Sequence, residues 1–260
     1  MINSIIKVIL PTRVATFEEF SFFEYKNICK MLLSREVKSI NDCFDIILKK
    51  VQYQGEPLNV IEKFLCLLSI RTAILGNEVQ IIDAKNRRVN YDLSILLDIE
   101  FEDINITYKN LTFKTPILFY TSDVITFLGN CLASYNDINV QDLSLEEKIQ
   151  IINAVEYPLT EMFKQVNSVL ETSEIDILGN AINIYQPSSV LGFLRDILYE
   201  NIIDIIEYEY ICIRDLNLNS NDFKTYTYPE LKIFMNYFAK QMKEPDASSN
   251  SNSGMRGFNI

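Results

Sequence analysis

Apolar residues recur at helical spacing along most of this chain, and they predict a mainly helical protein. Between residues 40 and 51 they stand at i, i+3, i+4, i+7, i+8 and i+11, which forms one continuous stripe on a helix. The segment 60–75 is apolar almost all round, as is typical of a central, buried helix. A long stripe predicts a single helix from 190 to about 216. Further stripes predict helices over about 21–33, 144–155, 159–170 and 227–242.

Several helix ends carry typical capping residues. Ser-x-x-Glu capping boxes begin at Ser21 and Ser144. Pro57 predicts the first turn of the third helix, because proline is tolerated there, and Gly76 predicts its C-terminal end. Two more helix starts are predicted at Ser122, for a helix to about residue 135, and at Thr227, before Pro229.

In the middle of the chain the period of the apolar residues changes from 3.6 to 2, which is typical of strands. The segments 79–82 and 89–93 flank a turn-rich stretch and predict a hairpin. The segments 104–108 and 111–113 predict a second strand pair, and Pro116 ends this β region. Two other stretches are predicted as connectors: 136–139 and 179–187.

These elements predict an α+β fold that is predominantly helical. N-terminal helices with a small antiparallel β-sheet are predicted to occupy residues 1–136, and a helical half, 137–243, to pack on them. The composition then becomes rich in Ser, Asn and Gly, which predicts a flexible polar tail over 244–260. This tail ends in apolar residues and is either unstructured or a peptide that docks on a partner protein. The partner-binding candidates are Met255, Phe258 and Ile260.

The charge balance disfavours two classes of partner. The 24 Lys and Arg residues against 35 Asp and Glu residues give a net charge of −11, whereas phosphate backbones and anionic bilayers attract clustered cations. No segment approaches the roughly 20 apolar residues of a membrane span, and the N-terminal run to Leu10 lacks a secretory cleavage site. We therefore expect a cytoplasmic protein with neither nucleic acid nor membrane among its partners.

The residue types that most enzymes use are scarce. The chain has no His, which removes Ser/His/Asp and Cys/His nucleophile systems, and it has neither a GxxxxGK[ST] nor a GxGxxG loop. Its five cysteines are widely spaced, which favours free thiols in a reducing compartment. A reactive thiol is the alternative, although no His is present to activate it. We expect no catalytic residue, no cofactor and no metal site.

One group of carboxylates has the spacing of a metal or acid–base site. Its members follow one another at i+4 or i+3 along the predicted long helix: Asp196, Glu200, Asp204 and Glu207. The solvent-exposed face of an amphipathic helix shows the same spacing of carboxylates. We favour that interpretation because no soft ligand, such as a thiolate or an imidazole, and no basic group completes a site. A basic group, Lys85, Arg87 and Arg88, is interpreted as an exposed hairpin turn rather than a phosphate site.

Two groups of residues carry a resemblance to a known family. The early group lies on and just after the apolar helix: Glu62, Lys63, Arg71, Gly76 and Val79. The late group runs into the last helix: Tyr199, Asn201, Ile202, Glu209, Tyr210, Thr227 and Glu230. Together with the aromatic stretch FSFFEYKNICKMLL near the start, they resemble the baseplate hub and hub-assembly proteins of T-even-type contractile-tailed bacteriophages, over residues 20 to 240. Asn201 departs from the family pattern, where an acid is often found.

This resemblance implies a role in assembly rather than in catalysis. It implies a non-enzymatic, chaperone-like factor that binds hub subunits while the phage tail baseplate is built, with other baseplate hub proteins as partners in a homo- or hetero-oligomer. It places the protein in the host cell cytoplasm during assembly. Two alternatives stay open: a permanent structural component of the virion baseplate and, less favoured, a carboxylate-based metal-dependent enzyme.

Overall fold

The structure is a computed structural model that describes residues 5–101, 103–118, 123–155, 158–172 and 174–243. Helices and antiparallel strands alternate through these residues, and the helices predominate. The predicted α+β class is therefore confirmed. In the described part of the chain, the strands form four small antiparallel sheets.

The described part of the chain begins with a hairpin that the apolar pattern above does not predict. Strand β1 (Ile5–Ile9) pairs with β2 (Val14–Glu18), and the short β3 (Val51–Gln52) pairs with the other edge of β2. Along β2, Ala15 and Phe17 are fully buried while the ends of the strand are exposed. This alternation is the period of a strand with one face on the core.

Three helices follow: α1 (Phe22–Met31), α2 (Val37–Leu48) and α3 (Val60–Leu75). The capping box predicted at Ser21 is confirmed, because the Ser21 hydroxyl accepts the Glu24 N–H and the Glu24 carboxylate accepts the Ser21 N–H. The apolar stripe predicted for α2 is confirmed as its buried face.

The boundaries of α3 differ from the prediction at one end. The helix begins at Val60, not at Pro57, because Asn59 caps it and forms a capping box with Glu62. Gly76 ends the helix as predicted, with a φ of 87° that favours glycine.

Both predicted strand pairs are confirmed. Strand β4 (Glu78–Ile82) pairs with β5 (Arg88–Asp92), and the short α4 (Ser94–Leu97) follows. Strand β6 (Asn105–Tyr108) then pairs with β7 (Leu111–Lys114).

The helix predicted over 122–135 is correct only in its first part. Helix α5 (Val124–Cys131) is capped by Asp123, which accepts the Thr126 N–H, and Ser122 lies outside the described residues. The chain then forms β8 (Leu132–Tyr135) and β9 (Ile138–Asn139), so the predicted connector 136–139 is a hairpin turn and part of a strand. Strand β8 also pairs with β7, which extends the sheet to the order β6-β7-β8-β9.

The two helices predicted next are confirmed as α6 (Leu145–Ala154), with its capping box at Ser144, and α7 (Leu159–Thr172). The connector predicted over 179–187 is wrong, because β10 (Glu174–Ile177) and β11 (Asn180–Asn183) form a hairpin. Its two-residue turn holds Leu178 and Gly179 at positive φ, 56° and 84°. Leucine rarely adopts this conformation, so the usual hairpin sequence signal is missing.

The single long helix predicted over 190–216 is wrong as well. It is two helices, α8 (Pro187–Leu198) and α9 (Ile202–Leu216), separated by an extended break. Asn201 caps α9 through its side chain, which accepts the Ile203 N–H. The chain continues into α10 (Asp222–Thr225) and α11 (Tyr228–Lys243), whose predicted capping residue Thr227 forms a capping box with Glu230.

One buried cluster joins elements from both parts of the chain. The Tyr25 hydroxyl on α1 donates to the Leu198 carbonyl at the end of α8, at 3.0 Å. The Tyr25 and Tyr228 rings pack with their centroids 4.6 Å apart, which ties α1 to the start of α11. The predicted boundary at residue 136 falls in the turn between β8 and β9.

Candidate interaction surface

Helix α9 exposes a row of large apolar side chains. Ile203, Ile206, Tyr210 and Ile213 are 60%, 47%, 60% and 49% exposed, respectively. Their spacing of i, i+3, i+7 and i+10 places them on one face of the helix. We call these four residues the α9 stripe.

The stripe is separate from the face by which α9 joins the core. Ile205 and Cys212, seven residues apart, are fully buried, and at 100° per residue they lie about 120° from the stripe around the helix axis. The Glu209 carboxylate forms an ion pair with Lys26 of α1, which holds the core-facing side of α9 against α1. Helix α9 therefore has one apolar face for folding and a second that the fold leaves in solvent.

A second exposed apolar group lies on α11. Ile233, Phe234 and Tyr237 are exposed there, and the Phe234 ring packs edge-on against Tyr226 at 5.5 Å between centroids. These three side chains lie within residues 233–237, and Tyr237 is one helical turn from both Ile233 and Phe234. Among the side chains that the structure describes, this group is therefore shorter than the α9 stripe, and it provides a control surface.

The four carboxylates that the sequence places on the solvent-exposed face of one long helix are divided by the break between α8 and α9. Asp196 lies on α8 and pairs with its neighbour Arg195 at 2.6 Å. The other three, Glu200, Asp204 and Glu207, line one surface depression of about 320 Å³. We call these three residues the acidic flank.

Glu200 has a structural role in this flank. Its carboxylate accepts the Tyr228 hydroxyl and binds the Lys232 ammonium at 2.9 Å. Both partners lie on α11, so Glu200 anchors the last helix to the α8–α9 break. Within the described residues, no group of three His, Cys, Asp or Glu side chains is placed to hold a metal ion.

The predicted basic cluster lies in the β4–β5 turn. Arg87 binds the buried carboxylate of Asp83, which also accepts the backbone N–H groups of Lys85 and Arg87. Arg88 lies at the start of β5 and is exposed. The hydrogen bonds of Arg87 and Asp83 close the turn, in agreement with the exposed-turn interpretation.

Most residues that carry the family resemblance have structural roles. Glu62 pairs with Arg13 at 2.5 Å, and Arg71 donates to three backbone carbonyls. In the late group, capping explains Asn201, Thr227 and Glu230, and the ion pair with Lys26 explains Glu209. Tyr210 differs, because it is exposed on the α9 stripe with the Arg214 guanidinium 5.5 Å from its ring centroid.

All five cysteines are free and buried: Cys29, Cys43, Cys66, Cys131 and Cys212. Desolvation raises the pKa of each thiol, to about 11 for Cys29 and about 12 for Cys43 and Cys66. Because the thiolate is the reactive form, these side chains are protected both by burial and by protonation.

The raised pKa values of the buried thiols are expected to make the folded protein less stable at alkaline pH. In the unfolded chain they lose protons near the ordinary pKa of 9.0, whereas the folded protein keeps three of them protonated to about 11–12. The stability is therefore fully present below pH 9 and is expected to fall as the pH rises from there to about 12. Urea midpoints at pH 7 and pH 10 should show the decrease. A thiol reagent at pH 8 should label the native protein far more slowly than the unfolded chain, and equal midpoints or rapid native labelling would contradict this expectation.

The tail candidates Met255, Phe258 and Ile260 lie outside the described residues. Among the helices that are described, none combines the length and the apolar character needed to cross a bilayer.

Comparison with known proteins gives no matching family model, no matching curated protein and no matching solved structure. The resemblance to baseplate hub proteins thus stays a prediction.

Proposed function

We propose that this protein is a non-enzymatic assembly factor for a phage tail baseplate hub and that it binds hub subunits in the host cell cytoplasm. The observation that carries the proposal is the α9 stripe, an apolar face left in solvent by a helix that already has a buried face. Exposed apolar rows of this kind mark surfaces that bind other proteins.

The resemblance supports the choice of partner. Among its late residues, Tyr210 is exposed on the stripe, and tyrosine is one of the residue types enriched at binding hot spots. The apolar tail residues Met255, Phe258 and Ile260 are proposed as a second contact with the hub partner. The net charge of −11 favours a protein partner over nucleic acid.

Binding through the stripe suits a chaperone-like mechanism. A subunit that awaits incorporation exposes the apolar surface by which it later joins the hub, and a temporary partner covers that surface until then. The α9 stripe is short, three turns at most, so the contact is expected to be reversible.

The proposal is tested by mass spectrometry of gradient-purified phage particles, with infected-cell lysate as the reference. An assembly factor is abundant in lysate, in complexes with hub subunits, and absent from finished particles. Stoichiometric presence in particles would contradict the assembly role and favour the alternative, a permanent baseplate component. Absence of any complex with hub subunits in lysate would contradict the proposal altogether.

A further inference from the structure

The α9 stripe has an acidic border along its N-terminal half. Glu207 is one helical turn from the stripe residues Ile203 and Tyr210, so it borders the stripe. Asp204 lies one turn before Glu207 and farther around the helix. With Glu200 they line the depression of about 320 Å³, on the Glu207 side of the stripe. The depression is also lined by Asn201, Tyr208 and Ile211.

Two of these carboxylates form no ion pair within the described residues. Lys232 neutralises Glu200, but in the part of the chain that the structure describes, no Lys or Arg lies within ion-pair distance of Asp204 or Glu207. Asp204 accepts the side-chain amide of Asn201 at 3.3 Å. Arg214 is the only Lys or Arg within α9 (Ile202–Leu216), and it already forms a bidentate pair with Asp215.

We propose that the α9 stripe and its acidic flank bind an amphipathic helix of a partner protein that carries Lys or Arg along one edge of its apolar face. The stripe runs from Ile203 to Ile213, about 15 Å of helix, and matches apolar positions at i, i+3, i+4 and i+7 on a partner helix. The partner's basic edge lies over Asp204 and Glu207, and one of its long side chains enters the depression. This inference deepens the proposed function, on which it rests, by naming the chemistry of the segment that docks.

A second copy of this chain fits the surface less well. It would bring another acidic flank and another net charge of −11 to the contact. If two α9 helices packed antiparallel, with Ile206 opposite Tyr210 of the other copy, the two Glu207 side chains would meet. A basic helix meets the same carboxylates with opposite charge, which favours binding and fixes its orientation.

The test uses the full chain and two fluorescent 18-residue peptides. Both carry leucine on one helical face, and they differ only in lysine or glutamate along one edge. By fluorescence anisotropy, the wild-type protein is expected to bind the lysine peptide at least tenfold more tightly than the glutamate peptide, with weaker binding at high salt. The double variant Asp204→Lys/Glu207→Lys is expected to reverse this preference.

Two further variants separate specific docking from general attraction to an acidic protein. Asp98→Lys/Glu100→Lys changes the net charge equally at exposed positions elsewhere and is expected to keep the lysine preference. Ile206→Ser/Tyr210→Ser is expected to weaken binding of both peptides at least tenfold, with an unchanged circular dichroism melting curve.

Three results would overturn the inference. They are binding of neither peptide by the wild type, an unchanged preference in Asp204→Lys/Glu207→Lys, and a wild-type dimer in light scattering that Ile206→Ser/Tyr210→Ser abolishes. If the peptide-binding results fail while hub subunits still co-purify with the protein from infected cells, only the basic-helix partner is rejected. Peptide binding as expected, without any hub complex in infected cells, would reject the proposed function instead.

Discussion

Replacement of Arg13 by alanine is expected to lower the free energy of unfolding by about 3–5 kcal/mol, the usual cost of removing one partner of a buried ion pair. Arg13 follows the turn of the β1–β2 hairpin, and its guanidinium binds Glu62 through Nε and Nη2 at 2.9 and 2.5 Å. Its remaining donors reach the backbone carbonyls of the loop before α3: Gln54, Glu56 and Pro57.

The size of the effect comes from the group left behind. The Glu62 side chain is only 6% exposed, and without Arg13 its charge would keep the Asn59 N–H, at 3.1 Å, as its main donor. The β1–β2 hairpin would also lose the hydrogen bonds that join it to the first turn of α3. Bonding to Glu62 raises the pKa of the Arg13 guanidinium above its ordinary value, so this side chain is charged at every pH at which the protein folds.

Urea unfolding of three variants measures this prediction. Lys50→Ala removes a partly exposed ion pair with Glu24 and is expected to cost at most about 1 kcal/mol. Adding Glu62→Gln to Arg13→Ala removes the orphaned charge and is expected to restore part of the loss. If Arg13→Ala lowers the free energy of unfolding no more than Lys50→Ala does, Arg13 does not have the proposed role of joining the hairpin to α3. Arg13→Lys, which keeps the charge, provides a milder variant if Arg13→Ala does not fold.

Replacement of Arg71 by methionine is expected to cost at least about 3 kcal/mol, because three backbone acceptors would lose a charged donor at about 1–3 kcal/mol each. Arg71 is buried on α3 and donates to the carbonyls of Ile197, Gly76 and Glu78. It thus joins the end of α8, the end of α3 and strand β4. Desolvation lowers the pKa of this guanidinium, which indicates that the fold places a charge here against the cost of burial.

Thermal and urea unfolding should rank the substitutions at this position. Arg71→Lys keeps a charge but cannot reach all three carbonyls from one ammonium, so an intermediate loss is expected. Arg35→Met, at an exposed position, is expected to leave the stability nearly unchanged. A methionine variant as stable as the wild type would mean that the apolar stem of Arg71, and not its hydrogen bonds, matters.

The parts of the fold that were predictable from sequence are those in which local signals agree. The capping residues Ser21 and Ser144 and the single stripe of α2 each specify one element, and all three are confirmed. The β4–β5 and β6–β7 pairs combine alternation with a turn-rich connection. In these segments pattern and boundary point to the same structure.

The errors arise where a pattern continues across a boundary. Apolar periodicity runs from α8 into α9 without interruption, so the break was hidden, although Asn201 is a typical N-cap residue that could have indicated it. In the N-terminal hairpin, the alternation around Ala15 and Phe17 was available as a strand signal, but the turn before Arg13 lacks Asn and Gly.

The α9 stripe was hidden for the same reason. In the single helix predicted over 190–216, Ile205 and Ile206 belong to the same apolar stripe, so the pattern does not separate a buried face from an exposed one. Once α9 is a separate helix, the face that meets the core is fixed by Ile205 and Cys212, and Ile203 and Ile206 are left exposed. A helix with more apolar residues than one buried face can hold is the sequence signal for such a surface.

The most direct test of the central claim is affinity purification of the tagged protein from phage-infected cells, with quantification of the co-purified hub subunits. Three variants are compared with the wild type: Ile206→Ser/Tyr210→Ser, the α11 control Ile233→Ser/Tyr237→Ser, and a truncation after Lys243. We expect hub subunits with the wild type and the α11 control, at least tenfold less with the stripe variant, and less with the truncation, all at equal thermal stability. Absence of hub subunits from the wild-type sample, or equal recovery with the stripe variant, would contradict the claim that this protein binds the hub through α9.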